Sequence, residues 1–569
     1  MKKKKIFKYA GLCFALLLFI VPEVGAQWDD GMEVLNYYFS IDTGPRHQWY
    51  PKVVHNPINN EFMAIWRTSG KLRDDCDPGD DYECSHSFMS LDARRISPDG
   101  QLLGDPIELV PPEVGEKLLP VIAHNDLANE YMLAFGMGPD YGTDATYILR
   151  TDDLGTVLYG PEQLLEPKDF AYHADIVFNS VREQYLVVYN DRGVFNEHIN
   201  NVGFILDENG TPLHGPFPVG NQVGDLYAPR CAYNSTDDNY LCAWEDFRNV
   251  PDWLYPGDAY GALLDSNGDM IVEIPILDDY HMPGGDTYPG YESKQDQRVP
   301  TPCYNPDRNE FLVAWRDHRI TPQDPDDAGI FGRIIAGSDG SFKGSDFVIA
   351  DPPGMQTGPE MIYVEERKQY FIAFSDSRND TEPPGTPLWF SDNVDIYATW
   401  LDESGMPIEG DHIPIAVEPG VQTHAKVAYN PVEKRFLIAW YEKGINVYDY
   451  DIIPGGVMLG AETPGDVRAT LYGVPESTTS TTSVAPTTTT TTTAVQNPCA
   501  ALKIYGEHSE EVDLLRYVRD NVLDNTAEGQ ELIRLYYQWS PAIVEAMEGD
   551  EEFGEDVKEF IDGILPLMR

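Results

Sequence analysis

Four short pairs of opposite charge recur along the chain: Asp191-Arg192, Asp246-Phe247-Arg248, Asp317-His318-Arg319 and Asp376-Ser377-Arg378. A carboxylate and a guanidinium at this spacing make a charge-assisted pair that fixes a loop; several on one face would make a charged rim that reads a polar ligand. A second set of oxygen ligands stands in Asp74-Asp75-Cys76-Asp77-Pro78-Gly79-Asp80-Asp81, with a shorter version at Asp324-Pro325-Asp326-Asp327. Hard carboxylate oxygens suit Ca2+, so Asp74, Asp75, Asp77, Asp80 and Asp81 are candidate ligands, although the spacing is not that of an EF-hand. No GxSxG, HExxH, Walker or CxxCH motif occurs, and neither does a repeated S-x-D-x-G-x-x-W box. The 94 Asp and Glu residues are too many for spacing to single out a catalytic pair, so the sequence names no catalytic residue and no cofactor beyond Ca2+.

The elements that must position these groups are legible. Each charge pair follows an apolar run ending in an aromatic residue, and that run occurs seven times, as in HQWYPKVVHNPINNEFMAIW, QRVPTPCYNPDRNEFLVAW and QTHAKVAYNPVEKRFLIAW. The copies end at Trp66, Phe135, Tyr189, Trp244, Trp315, Phe374 and Trp440, a period of roughly 55 to 70 residues. Each reads as a β-hairpin: an Asn opens the turn through its side chain, and a following Pro presets φ. In the sixth copy Val364 takes the place of the Asn. Between copies, stretches such as GFILDENGTPLHGPFPVG read as two further strands.

Four short strands repeated seven times, without helical periodicity, predict a seven-bladed β-propeller over residues 27–473. A lone strand-like piece, EVLNYYFSI, precedes the first hairpin, and INVYDYDI and GVMLG follow the seventh. Such split pieces are expected to join the first and last blades, because an open array leaves exposed strand edges. Trp66, Trp244, Trp315 and Trp440 are expected in the blade packing. His55 and His124 occupy a slot that elsewhere holds Phe or Tyr, and are expected as half-buried aromatics.

The chain opens with a lysine-rich segment, an apolar run from Ala10 to Val21 and small residues at Val24-Gly25-Ala26. This reads as a signal peptide over residues 1–26, cut before Gln27, and implies export to the cell surface or beyond, with a bacterial envelope as the expected setting. Cys13 lies too early in the run for a lipid-attachment cysteine. No later apolar stretch is long enough to span a bilayer. Forty Lys and Arg against 94 Asp and Glu give a net charge of −54, which repels phosphate backbones and excludes nucleic acid as a partner. Export permits disulfides: Cys76 and Cys84 bracket the acidic loop, and Cys231 and Cys242 flank the turn NSTDDN, with Cys303 as a competing partner.

Residues 474–497 are a Thr-rich spacer that cannot build a core. Residues 498–569 show Leu514, Leu515, Val518 and Val522 at helical spacing, with Ser540-Pro541 suited to a helix start, and predict a small helical domain. The pieces Cys499, Tyr505-Gly506, the run from Leu515 to Asp520, Gly529, Tyr536-Tyr537 and Ser540-Pro541 resemble the CFI-box C-terminal domain of exported bacterial proteins. Ala500-Ala501 replaces the Phe-Ile of that box. The repeat region is similar to uncharacterised exported bacterial propeller proteins in which a hairpin ending Trp-x-Asp-x-Arg precedes a D-I-Y-G-like strand. Neither resemblance implies a reaction. The expectation is therefore a surface recognition protein whose ring binds a protein or glycan partner while the tail positions or anchors it. A glycan-cleaving enzyme and a self-assembling surface component are the competing classes.

Overall fold

The computed structural model describes residues 32–473 except 36–37, 43, 45, 70–88, 113–115, 139–144, 166–170, 249–256, 278–296, 319–327, 380–392, 409–411, 419 and 444–465. The signal segment, the acidic loop with Asp74 to Asp81, Arg319, residues 324–327, the spacer and the helical tail lie outside the described residues.

Seven antiparallel sheets form a seven-bladed propeller, and in six of them four strands follow one another in chain order. Blade 1 runs Gln48–Asn56, Glu61–Ser69, Met89–Ile96 and Leu102–Val110 from its inner to its outer strand. The other inner strands are Glu116–Asn125, Ala171–Asn179, Leu226–Asn234, Gln297–Asn305, Gln356–Val364 and Val421–Asn430. Each inner strand touches the inner strands of both neighbouring blades, and the seventh returns to the first, so the ring is closed around an axis.

Blade 7 is completed by the start of the chain. Glu33–Val34 and Phe39–Ser40 pair antiparallel with Asp466–Gly473, which in turn pairs with Arg435–Lys443. The third strand of this blade is thus DVRATLYG, downstream of the INVYDYDI and GVMLG pieces, which lie outside the described residues. Val467, Ala469 and Leu471 alternate along it and are fully buried with the blade 1 residues Phe62, Ala64 and Trp66. A period of two with one face in an inter-blade core is what makes this segment the closing strand.

One end of every inner strand is a four-residue turn. Asn56 Oδ1 accepts the backbone N–H groups of Ile58 and Asn59, both at 3.0 Å, and Asn125, Asn179, Asn234 and Asn430 cap their turns alike. The last turn residue is left-handed in all seven blades: Asn60, Asn129, Glu183, Asp238, Asn309, Lys368 and Lys434, with φ from 49° to 56°. The free amide of the capping Asn then reaches the neighbouring blade. Asn56 Nδ2 donates to Asn129 Oδ1 at 2.8 Å, Asn179 to Asp238 at 2.9 Å, Asn234 to Asn309 at 2.9 Å and Asn430 to Asn60 at 2.8 Å. One residue type therefore closes a turn and staples a blade interface. Blade 6, with Val364 in the slot, closes by backbone bonds from Arg367 N to Val364 O and from Lys368 N to Glu365 O.

Trp66, Trp244, Trp315 and Trp440 are fully buried between blades. Cys231 and Cys242, directly opposite in blade 4, form a disulfide across the hairpin, while Cys303 remains a buried thiol pushed up to about 12 by its burial.

Candidate functional site

The other end of the inner strand is bulged. In blade 1, Trp49 pairs with Arg67 and the next partners are Lys52 and Ile65, so Tyr50 and Pro51 stand against a single residue. In six blades the first bulge residue is left-handed: Tyr50, Leu119, Ala228, Val299, Gly358 and His424. Only one of these is glycine, and Val299 is β-branched, for which this conformation is strained by roughly 1–3 kcal/mol. The residue after it is Pro51, Pro120, Pro229, Pro300 or Pro359 in five blades and Ala174 or Ala425 in the other two. A proline suits a bulge on an edge strand, since it has no N–H to leave unpaired.

The next residue, four before the turn Asn slot, is turned by the bulge toward the axis. Around the ring this position reads Lys52, Val121, Asp175, Arg230, Thr301, Glu360 and Lys426. Five charged side chains from five blades thus meet at one level. Each of Lys52, Asp175, Arg230, Glu360 and Lys426 is half-buried, whereas Val121 and Thr301 are buried. Glu360 accepts from Lys426 Nζ at 2.8 Å, and Asp175 accepts the backbone N–H of Cys231 at 2.7 Å. Among the described residues Lys52 and Arg230 make no hydrogen bond or ion pair of their own.

The charges of the five bear on one another. Burial, followed by repulsion from Lys426 and Arg230, pushes the Lys52 ammonium down to about 7, against the opposing pull of Glu360 and Asp175. Asp175 is raised, chiefly by burial, even though Arg230 and Lys52 pull it down. Burial also opposes ionisation of Glu360, but attraction from Lys426, Lys52 and Arg230 outweighs it and holds this carboxyl below its ordinary range. Above the cluster, toward the bulge end, Tyr50 meets His424 edge-on at 5.1 Å, and the Arg67 guanidinium lies 4.5 Å over the Tyr50 ring. A cationic and aromatic corner between blades 7 and 1 therefore stands beside the charges.

The Asp-Arg pairs lie at this same end of the blades. Asp246, Asp317 and Asp376 are fully buried and Asp191 nearly so. Asp246 takes the indole N–H of Trp244 at 2.9 Å, two bonds from the Arg248 guanidinium at 2.6 and 2.8 Å, and the Arg248 backbone N–H at 2.9 Å. Arg248 also grips Glu273 and stacks 4.2 Å over Tyr260. Asp317 takes the indole of Trp315 at 2.9 Å, and Asp376 takes Arg378, which lies over Tyr397. Blade 7 has no such motif in its sequence but makes the same latch with Trp440, Glu442 and Arg468. Asp191 and Arg192 end the second strand of blade 3. In Asp246-Arg248 and Asp376-Arg378 the charges are neutralised within the blade, so each pair fixes the base of a loop.

The residue between the aromatic and the Asp does different work. Asn190 Oδ1 accepts from Ala228 N at 3.0 Å, and Glu245 accepts from Val299 N at 2.9 Å while pairing with Arg298 at 2.7 Å. These side chains hold the next blade's left-handed bulge in place. His55 and His124 are half-buried, tilted against Phe62 and Tyr131, with burial pushing His55 down to about 4. Among the described residues no three His, Cys, Asp or Glu side chains gather as a metal site.

The axial charges were not singled out in the sequence, because no two adjacent blades carry the same residue there, apart from the Lys426 and Lys52 neighbours. The available signal was positional: a charge directly after Pro or Ala, at a fixed distance before the turn, in a strand that is otherwise apolar.

The fold and site define a closed seven-bladed propeller with an asymmetric charged axis. No family model matches the chain, and no curated protein does. Among solved structures it is similar to a protein of unknown function from Dyadobacter fermentans, with 12% identity, TM-score 0.42, and coverage of 78% of this chain and 100% of that one. It is also similar to the phage phi92 endosialidase, at 9% identity and TM-score 0.42 over 80% and 71%, and to the GH93 alpha-L-arabinofuranosidase of Fusarium graminearum, at 10% and 0.38 over 62% and 92%. These distant likenesses are of fold and transfer no activity.

Proposed function

We propose that this chain is an exported recognition protein whose propeller binds a glycan or protein partner at the bulge end of the axis, with the Thr-rich spacer and a small helical tail positioning or anchoring it at a bacterial surface. The observation that supports this reading is internal to the repeat. Blades 2 and 5 carry Val121 and Thr301 at the axial position, and both keep the left-handed residue of the bulge, so the fold has no need of charge there. Five charges placed where the scaffold does not require them are the mark of a ligand site. Fold alone supports no function, and the weight rests on this cluster.

The test is binding of the full mature chain to a broad glycan array and to envelope extract, with Ca2+ and then with chelator. Specific capture that is lost in the Lys52→Val, Arg230→Thr double variant is the expected result. Capture that this variant leaves intact would move the site off the axis. Loss with chelator would support the Ca2+ expectation for Asp74, Asp75, Asp77, Asp80 and Asp81.

One observation favours the glycan-cleaving alternative. Asp175 and Glu360 share the axial cluster while their surroundings push them in opposite directions, one toward the protonated and one toward the ionised form. Glycoside hydrolysis uses two carboxyl groups whose surroundings push them apart in this way. Release of reducing ends from a polysaccharide panel, abolished by Asp175→Asn and by Glu360→Gln, would establish it; a silent panel would leave binding as the function.

A further inference from the structure

We infer that the axial cluster selects an oxyanion, a carboxylate or sulfate group carried by its ligand, and that Lys52 and Arg230 are the side chains that take it. This rests on the axis being the binding site and adds the chemical class of what binds there.

The argument is a balance of donors and acceptors. The two acids are engaged, Glu360 with the Lys426 ammonium and Asp175 with the Cys231 amide. The bases are less so: among the described residues the ammonium of Lys52 and the guanidinium of Arg230 feel Glu360 and Asp175 only at a distance, with no hydrogen bond or close ion pair, and Lys426 spends one of its three donors on Glu360. Half-buried cations with no hydrogen-bonded acceptor are open to a ligand, and the complement that fits them is a group with several acceptor oxygens and negative charge. A neutral sugar hydroxyl supplies one weakly accepting oxygen, also a donor, and no charge. The formal count agrees, since three cations against two anions leave the cluster one positive charge inside a chain of net −54. That surrounding negative field is screened beyond about 8 Å at physiological salt, so the local cations decide what is held at the axis.

Proton uptake should accompany binding. The charged groups facing Lys52 are Lys426, Arg230, Glu360 and Asp175, and His424, Tyr50 and Arg67 stand at the neighbouring mouth. An anion placed against Lys52 favours its charged form, so affinity should fall as pH rises through 7 and beyond, by up to roughly tenfold per unit while the free amine is neutral.

The experiment is calorimetric titration of the full mature chain with D-glucuronate, inorganic sulfate and, as the neutral counterpart, D-glucose, at pH 6 and pH 8.5. Glucuronate is expected to bind one to one, tighter at pH 6, with glucose silent. Lys52→Val and Arg230→Thr should each weaken it by roughly tenfold, the loss of one charge-assisted contact. Binding of sulfate with the same variant dependence would mean the site reads any oxyanion; glucuronate without sulfate would mean it reads an acidic sugar. Both outcomes support the inference. It fails if glucose binds as well as glucuronate, or if neither variant weakens the anion. Capture on the array that depends on Lys52 but involves only neutral glycans would sink the oxyanion while leaving the axial site standing. Should a variant not fold, the wild type still gives an answer. Lys52 should be the lysine most readily acylated near pH 7, as mapped by mass spectrometry, and glucuronate or sulfate should slow that acylation; no protection by either overturns the inference.

Discussion

The two ends of the inner strands follow opposite rules. At the turn end the blades are nearly copies: an Asn caps the turn in six of seven, a left-handed residue ends it in all seven, and amide-to-amide bonds pass from blade to blade. At the bulge end the backbone repeats but the axial residue does not, running through lysine, valine, aspartate, arginine, threonine, glutamate and lysine. Where seven positions face the same mechanical demand, they hold the same chemistry. Where they differ while the backbone stays the same, something other than the backbone has set them. A repeat protein thus carries its own control, because each blade shows what its siblings' positions would tolerate.

The largest effect that would sharpen this contrast is expected at the turn end. Asn234→Ala removes the cap of Thr236 and Asp237 and the bond to Asn309, and should cost about 2 kcal/mol in chemical denaturation. An unchanged midpoint would mean the staple carries no weight. At the bulge end, Lys52→Val should leave the protein at least as stable as wild type. Because the folded protein depresses Lys52 from 10.5 to about 7, the unfolded chain holds more protons between those values, and wild-type stability rises with pH across that window. The advantage of Lys52→Val should therefore be greatest below pH 7 and vanish by pH 10.5; a pH-independent difference would break the assignment. The smallest effect is a gain. Lys434→Asn gives blade 7 the left-handed residue type of blades 1, 2 and 5, and should add about 0.5 kcal/mol.

The same contrast explains what could be read in advance. The hairpins were legible because identical demands leave identical residues at fixed offsets: Asn, Pro, and an apolar run to Trp. The Asp-Arg pairs were visible too, but not the third member of the latch, since nothing in sequence says that the Trp244 indole points back at Asp246. Blade 7 escaped notice because Glu442 and a distant Arg468 replace the local pair. The closing strand DVRATLYG falls inside the predicted propeller bounds but lacks the Asn turn and the aromatic-ended run that mark the repeat, so nothing local distinguishes it from the nearer tyrosine-rich pieces. The axial cluster was invisible as a motif because its members come from different blades, and the axis brings together what the chain keeps dozens of residues apart.

The seam in blade 7 has a consequence for how this protein is made. Val34 lies against Tyr472, so the first strand of the ring waits on nearly the last. While the chain is being synthesised, blade after blade can gather, but the circle cannot lock until the final strand emerges. Until then the apolar face of blade 1 around Phe62, Ala64 and Trp66 lacks its cover, and Glu33–Val34 and Phe39–Ser40 lack the strand they pair with. Loss of only the residues around Glu33 to Ser40 would leave every other strand pairing of the ring present and Asp466–Gly473 still packed on blade 1, but would strip that closing strand of its outer partner and leave it as an exposed edge.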